Sequence, residues 1–238
     1  MHAAKAAPSI ARGWRPGLTA EAHAELVDAV YVAATDPEGW TDVFAKVRRY
    51  MGGHGTMYER CVADPRSHRL ALASLDPEFI ALYNSYYNAT NLWATSPKAG
   101  DRSLYVTEEV VDGPALERTE FFADWLRPQG LRHGLSCRVG GAGGRYLHLG
   151  LVRETKYGGY DADEVRFLES LTPHLRRAIE ISHRLGAAEA QADAALDVLG
   201  RRGVATVLVD SRGVVHAANA AADELMRDGG GLTVRAGR

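Results

Sequence analysis

The chain has 238 residues, of which 46% are hydrophobic and 24% are charged, enough for one medium domain with a well-filled core and part of a second. A net charge of -2 leaves no excess of Lys and Arg, which excludes a binding mode that depends on overall attraction to nucleic acid. Two cysteines are too few for a disulfide framework, and no apolar run reaches the roughly 20 residues that cross a bilayer.

The first residues predict a disordered tail. Residues 1–17 are rich in alanine and contain Lys5, Arg12 and Arg15, but they lack the continuous apolar segment of a signal peptide. We therefore expect a cytoplasmic protein with free thiols and no membrane association.

Two amphipathic helices are predicted next. The first begins after Thr19, a good N-cap, and ends near Asp36. The second runs from Pro37 to Tyr50 and ends at the glycine pair that begins with Gly52. Apolar residues recur at helical spacing in both, so each should bury one face.

A β-hairpin and a third helix follow. The hairpin comprises residues 56–62 and 69–74, two β-like segments joined by a turn that contains proline. The third helix should begin at Asp76, which can cap it, with the following proline in its first turn. Residues 88–100 are interpreted as a loop.

The next part of the chain predicts a short strand, a helix and a second hairpin. The strand is at residues 104–106, and an amphipathic helix with much aromatic mass spans Leu116 to Leu126. Strands at 135–139 and 146–152 flank a glycine-rich connection, because glycine can adopt the positive φ angles that hairpins require.

A long helix is predicted from Val165 to Leu199, where apolar residues alternate at spacings of three and four in a heptad stripe. Pro173 has no amide proton, so the helix must kink there or restart with Thr172 as its N-cap. A break would let the C-terminal part move relative to the preceding domain. A local packing accommodation is the alternative.

Beyond this helix, strands at 204–209 and 214–216 and a helix from Asn219 predict the start of a second α/β unit. The elements together predict an α+β fold: a GAF/PAS-like antiparallel sheet flanked by helices, followed by a long linker helix and an incomplete PAS-like segment. The predicted divisions are a disordered tail at 1–17, a sensor domain at 18–172, a linker and dimerisation helix at 173–202 and the start of a PAS-like domain at 203–238.

Several stretches of the sequence, considered together, form a recognisable pattern. From Phe121 the chain reads Phe-Phe-Ala-Asp-Trp-Leu-Arg-Pro-Gln-Gly-Leu-Arg-His-Gly-Leu, the glycine hairpin follows, and Leu171 begins Leu-Thr-Pro-His-Leu-Arg-Arg-Ala. Residues 207–222 fit Val-Leu-Val-Asp-x-x-Gly-x-Val-x-x-x-Asn-x-x-Ala. These stretches resemble the N-terminal sensory region of LuxR-type bacterial transcription regulators, over about residues 20–238. The resemblance implies a sensor that controls a C-terminal helix-turn-helix.

The sequence departs from this family pattern at its C-terminal end. No helix-turn-helix is present, and the PAS-like segment has about 36 residues, whereas such a fold needs roughly 100. We therefore expect a piece of a longer regulator, in which DNA is bound only through the missing helix-turn-helix.

The resemblance also bears on the ligand. In autoinducer-binding domains of LuxR proteins, an aspartate binds the amide of the signal near a Tyr and a Trp. The comparable segment here is 83–93, with Asn91 where the acid is expected. An amide forms hydrogen bonds but has no charge, which disfavours an acyl-homoserine lactone.

Two sets of residues are candidates for function. Aromatic side chains could line an apolar cavity, with hydroxyl and amide groups that orient a small molecule, or they could simply form core. The candidate ligand-binding residues are Tyr58, Tyr83, Tyr87, Asn91, Trp93, Phe121 and Trp125. The heptad stripe predicts a homodimer. The candidate dimerisation residues are Leu175, Ala178, Leu185, Leu196 and Leu199.

Other chemistries find little support. The nine histidines lack the spacing of zinc hydrolases, and the glycine run at 140–144 lacks the Lys of a P-loop. No nucleophile motif such as Gly-x-Ser-x-Gly occurs. We therefore predict a regulatory sensor without cofactor, metal or enzymatic activity. The alternative is a PAS/GAF module that binds no ligand and serves only dimerisation or interaction.

Overall fold

The computed structural model describes residues 17–61, 63–64, 68–99, 102–142 and 144–227. Of the tail predicted at 1–17, residues 1–16 lie outside the described residues, as do the last eleven residues of the chain, 228–238. The chain divides after Ile181 into two compact units, and the long helix contributes residues to both.

The first unit contains most of the secondary structure. Its helices are α1 Ala20–Ala33, α2 Trp40–Met51, α3 Pro77–Leu82, α4 Asn88–Thr90, α5 Leu92–Thr95, α6 Thr107–Val110, α7 Gly113–Glu117 and the first half of α8 Ala162–Arg201. Wide helical turns occupy Tyr83–Tyr87 and Phe121–Leu126, and tight ones Pro37–Gly39, Arg127–Gln129 and Thr155–Tyr157. Its strands are β1 His54–Cys61, β2 Arg69–Ala73, β3 Leu104–Val106, β4 Leu131–Ala142 and β5 Arg145–Glu154.

The five strands form one antiparallel sheet in the order β2-β1-β5-β4-β3. Both predicted hairpins are present, and the strands of the second are longer than the sequence indicated. Helices pack on the two faces of this sheet, which confirms the predicted α+β class.

One face of the sheet is covered by α1, α2 and the start of α8. Because side chains alternate along a strand, Met57, Leu149 and Leu151 point to this face and enter one continuous core with the three helices. Thr19 caps α1 by accepting a hydrogen bond from the amide of Ala22, as predicted. Gly52 ends α2 at a φ of 66°, which favours glycine.

The opposite face of the sheet is covered by the helical segments between β2 and β4. They form a second core with three large aromatic side chains, Trp93, Phe121 and Trp125, all buried. Residues 88–100 were expected to be a loop, and this was wrong. Asn91 breaks the segment into α4 and α5, because its carboxamide accepts a hydrogen bond from the amide of Trp93 and caps a new helix.

A buried ion pair fixes the start of α8 against the end of β5. Glu164 accepts hydrogen bonds from two nitrogens of Arg153 at 2.6 and 2.7 Å, and both side chains are almost fully buried. The ring of Tyr160 lies 3.8 Å from the Arg153 guanidinium carbon. Glu164 also accepts from the amide of Asp161, whose own carboxylate caps the helix.

Of the two alternatives at Pro173, a kink or a restart with Thr172 as N-cap, the restart was wrong. The helix continues from Ala162 to Arg201 with Pro173 inside it. The Thr172 hydroxyl donates to the carbonyl of Leu168 at 2.9 Å, so it serves the preceding turn and does not cap a new helix.

The second unit consists of the rest of α8, a two-stranded sheet and a short helix. The strands are β6 Val207–Val209 and β7 Val215–Ala218, and the helix is α9 Ala220–Arg227. Asn219 holds these elements together. Its carboxamide oxygen accepts from the amides of Thr206 and Ala222, and its nitrogen donates to the carbonyls of Leu196 and Val204.

Candidate ligand cavity

A cavity lies between the sheet and the helical layer that contains the three large aromatic residues. It is lined by Thr56, Tyr58, Leu70, Tyr83, Asn91, Trp93, Ala94, Tyr105, Thr107, Phe121, Trp125, Gly134, Leu135, Ser136, Gly150, Leu151 and Val152.

The cavity is small and uncharged. The space open to the centres of water-sized molecules is about 50 Å³, against roughly 10–15 Å³ for a single water. The lining side chains are buried or half-buried, and none of these described residues carries a charge. The cavity can therefore hold a few waters or one compact neutral molecule without a change in its walls.

Aromatic rings form the wall opposite the sheet. Phe121 and Trp125 stack with ring centroids 5.2 Å apart, and the ring of Tyr83 lies 5.2 Å from Trp125. Trp93 meets the ring of Phe121 edge to face at 5.7 Å. Tyr83, Phe121 and Trp125 all lie in the two wide helical turns, a geometry often found at functional sites.

Hydroxyl groups form the polar wall on the sheet side. The Tyr58 hydroxyl lies 2.6 Å from Ser136 Oγ, which lies 3.1 Å from His148 Nδ1. The Tyr105 hydroxyl lies 3.5 Å from that of Tyr58. These residues come from four different segments of chain that the sheet places side by side, so the arrangement depends on strand register.

Asn91 is fully engaged with the protein itself. Its carboxamide oxygen caps α5, and its nitrogen donates to the Tyr83 hydroxyl at 2.8 Å. Asn91 therefore lines the cavity chiefly as a support for Tyr83.

Burial sets the protonation of the groups around the cavity. Burial raises the pKa of both Tyr58 and Tyr83, so these phenols stay neutral. Burial, with the positive charges of Arg60 and Arg138, lowers the pKa of His148 to about 3. Burial lowers the pKa of His68 to about 4, and Arg60 adds to the effect. The polar wall is neutral at physiological pH.

The structure brings together six of the seven residues predicted to bind a ligand. Tyr58, Tyr83, Asn91, Trp93, Phe121 and Trp125 line the cavity. Tyr87 does not. Its ring packs edge to face against Tyr86 at 5.1 Å, beside the aromatic core.

Sequence reasoning missed the polar residues on the strands and the small residues that leave space. Ser136 and Gly150 each lie between two buried leucine or cysteine residues of their strands, and a small or polar residue at such a position is the signal that could have indicated a close approach. Ala94 was missed because its helix had been interpreted as loop.

The predicted dimerisation residues fall into two groups. Leu175 and Ala178 are buried in the core of the first unit, where they pack under the sheet, so they are not available to a second copy. Leu196 is buried in the second unit. Only Leu185 and Leu199 are exposed, at 40% and 38%.

Within the described ranges, no group of three or more His, Cys, Asp or Glu side chains is placed to hold a metal ion. No helix in this part of the chain combines the length and apolar character needed to cross a membrane.

Comparison with known proteins gives a match of fold. No family model and no curated protein matches the sequence. Among solved structures, the VqsR ligand-binding domain from Pseudomonas aeruginosa matches with a TM-score of 0.54 at 15% identity, over 70% of this chain and 98% of that one.

Two further solved structures match with lower TM-scores. The LuxR-family factor CepR2 from Burkholderia cenocepacia, described as dependent on N-acylhomoserine lactone, has a TM-score of 0.48 at 20% identity, over 68% of this chain and 94% of its own. A phycoerythrobilin-bound GAF domain from a cyanobacterial phytochrome has a TM-score of 0.42 at 12% identity, over 68% and 95%. The structural neighbours thus include ligand-binding domains of LuxR-type regulators.

Proposed function

We propose that the first unit is the sensor domain of a LuxR-type transcription regulator and that it binds a small neutral molecule in the cavity between the sheet and the aromatic layer. The observation that carries the proposal is the cavity itself: a space between buried and half-buried side chains, with aromatic rings on one wall and hydroxyl groups on the other. The shared fold with the VqsR ligand-binding domain supports it.

The size and charge of the cavity restrict the ligand. Typical sites for drug-sized ligands enclose roughly 300–1,000 Å³, so a long acyl chain would require the walls to move. A charged ligand would be buried without a counter-charge, which is costly. Asn91, already bonded to Tyr83 and Trp93, would not replace the aspartate of acyl-homoserine lactone receptors.

A cavity-filling variant tests the proposal. Ala94 lines the cavity, so Ala94→Leu should occupy the space, whereas Ala89→Leu adds the same side chain at an exposed position of α4. The probes are toluene, phenol and cyclopentanone, and the measurement is the melting temperature of each protein with and without probe.

We expect at least one probe to raise the melting temperature of the wild type and of Ala89→Leu by about 3–6 °C at tenfold excess over its Kd. Ala94→Leu should show no rise. If no probe stabilises the wild type, or if Ala94→Leu gains equally, the cavity is not the binding site and the alternative of a ligand-free interaction module is favoured.

The proposal includes a homodimer, which regulators of palindromic DNA sites require. Its support is the pair of exposed leucines on α8, Leu185 and Leu199, which are two heptads apart and therefore on one side of the helix. In this proposed role, DNA is bound by a separate helix-turn-helix domain. We also propose that the protein acts in the cytoplasm.

A further inference from the structure

We propose that His148 determines the hydrogen-bonding character of the cavity: by donating a proton to Ser136, it leaves one hydroxyl hydrogen on the polar wall for the ligand, which must supply an acceptor such as the carbonyl oxygen of a ketone or an ester. This inference rests on the proposed function, because it names the chemistry of the ligand of the same cavity. His148 itself acts through Ser136 and is a positioning residue.

The contacts that carry the inference form a short chain. His148 Nδ1 lies 3.1 Å from Ser136 Oγ, and Ser136 Oγ lies 2.6 Å from the Tyr58 hydroxyl. His148 and Ser136 are buried, and the ring of His148 stacks on that of Tyr58 at 5.1 Å. The chain thus runs from a buried imidazole to two groups that line the cavity.

The position of the imidazole proton follows from the available partners. A neutral imidazole carries one N–H and one lone pair. Nδ1 lies within hydrogen-bond distance of Ser136 Oγ, whereas no hydrogen bond joins Nε2 to a described residue, and His148 is 1% exposed. A buried N–H without an acceptor is more costly than an unused lone pair. The proton therefore resides on Nδ1.

Nearby charges keep the imidazole neutral. Arg60 and Arg138 both act on His148, and they disfavour the imidazolium form. His68, the third titratable group acting on His148, is also buried and neutral.

The number of protons on these groups, compared with the number of contacts between them, decides whether the polar wall can donate a hydrogen bond to a ligand. Nδ1, Ser136 and Tyr58 contribute three protons, but only two contacts join the three groups, so one hydroxyl hydrogen is left for the cavity. With the proton on Nε2, Ser136 and Tyr58 would supply two protons to the same two contacts, and none would be left. Tyr105 adds one proton and one long contact of 3.5 Å, so the surplus is unchanged.

Tyr83 on the opposite wall presents a second donor. Its oxygen accepts from Asn91, and no described residue accepts its own proton. The cavity therefore offers hydroxyl hydrogens from two sides and favours the binding of a ligand that has hydrogen-bond acceptors. A carbonyl compound meets this demand without introducing an N–H or O–H that would itself need a partner.

The tautomer is measured directly by NMR on uniformly ¹⁵N-labelled wild type. Long-range ¹H–¹⁵N correlations of the His148 ring should show the proton on Nδ1 and an unprotonated Nε2 at pH 7. Protonation at Nε2 would overturn the inference. His148→Phe, which keeps a stacked ring, assigns the signals by their disappearance.

A matched pair of probes tests the consequence for binding. Cyclopentanone carries a carbonyl oxygen, and methylenecyclopentane has a CH₂ group in its place with nearly the same shape. Tyr58→Phe combined with Ser136→Ala removes both hydroxyls of this chain and should weaken cyclopentanone binding about five- to tenfold while leaving methylenecyclopentane within about twofold. His148→Phe alone leaves Ser136 and Tyr58 with two protons and one contact, so one hydroxyl hydrogen remains and both probes should bind within about twofold of the wild type.

The outcomes distinguish a failure of the inference about the polar wall from a failure of the proposed function. If both probes bind and the double variant affects them equally, the cavity is a binding site but its polar wall does not select acceptors, and the inference fails alone. If neither probe binds the wild type, the proposed function fails for these compounds and the inference falls with it. Selective loss of the ketone supports both.

Discussion

At the scale of single residues, Trp93 connects the stability of the first unit with its cavity. Its side chain is 7% exposed and packs edge to face on Phe121. We predict that Trp93→Ala lowers the free energy of unfolding by about 3–5 kcal/mol, measured by urea denaturation without ligand. A loss below about 1 kcal/mol would show that the indole borders open space rather than core.

The buried histidines predict that the protein loses stability in mild acid. The unfolded chain binds protons at histidine near pH 6.5, whereas burial lowers the pKa of His148 to about 3 and that of His68 to about 4. Between pH 6.5 and pH 4 the unfolded state therefore binds protons that the folded state does not, and stability falls as the pH falls.

Each such histidine contributes up to about 1.4 kcal/mol per pH unit below pH 6.5. Urea unfolding at pH 7, 6 and 5 should show this decline, and His148→Phe should reduce its slope by the share of one histidine. An identical slope in the variant would mean that His148 is protonated in the folded state.

The site residues that the sequence indicated are those that cluster along the chain. Tyr83 and Trp93 occupy one segment, and Phe121 and Trp125 another, so composition alone pointed to them. The hydrogen bonds that join Tyr58, Ser136 and His148 could not be predicted from composition. They exist because β5 pairs with both β1 and β4 in a specific register, which a single sequence does not reveal.

At the scale of elements, the helices and hairpins with clear caps and alternation were predicted well, and the errors have local causes. Asn91 was considered as a ligand group, yet its capping of α5 turned an expected loop into helix. The helix expected at 116–126 is instead α7 followed by a wide turn, because the Thr119 hydroxyl accepts from the amide of Phe122 and interrupts it.

Pro173 gives a prediction for α8. It is exposed inside a continuous helix and has no N–H for the carbonyl of Glu169. Pro173→Ala should raise the free energy of unfolding by about 1–3 kcal/mol, measured by urea denaturation. Pro173→Gly should gain less, because glycine restores the N–H but is a poor helix former. A loss of stability with alanine would mean that the proline ring is needed for packing.

At the scale of the whole molecule, the proposed dimer depends on the exposed leucines of α8. Leu185→Glu combined with Leu199→Glu would place like charges on the contact surface and should convert a dimer of about micromolar Kd into a folded monomer. Sedimentation velocity of wild type and double variant measures this, with circular dichroism as the check on folding. A dimer that persists in the double variant would locate the contact elsewhere on the protein.

The central claim is that the cavity of the first unit receives a small neutral molecule. Isotope-filtered nuclear Overhauser spectra of the labelled protein with cyclopentanone test it most directly. We predict contacts from the probe to the ring protons of Tyr83, Trp93 and Phe121, whose side chains line the cavity. Contacts confined to exposed residues, or no contacts at saturating probe, would contradict it.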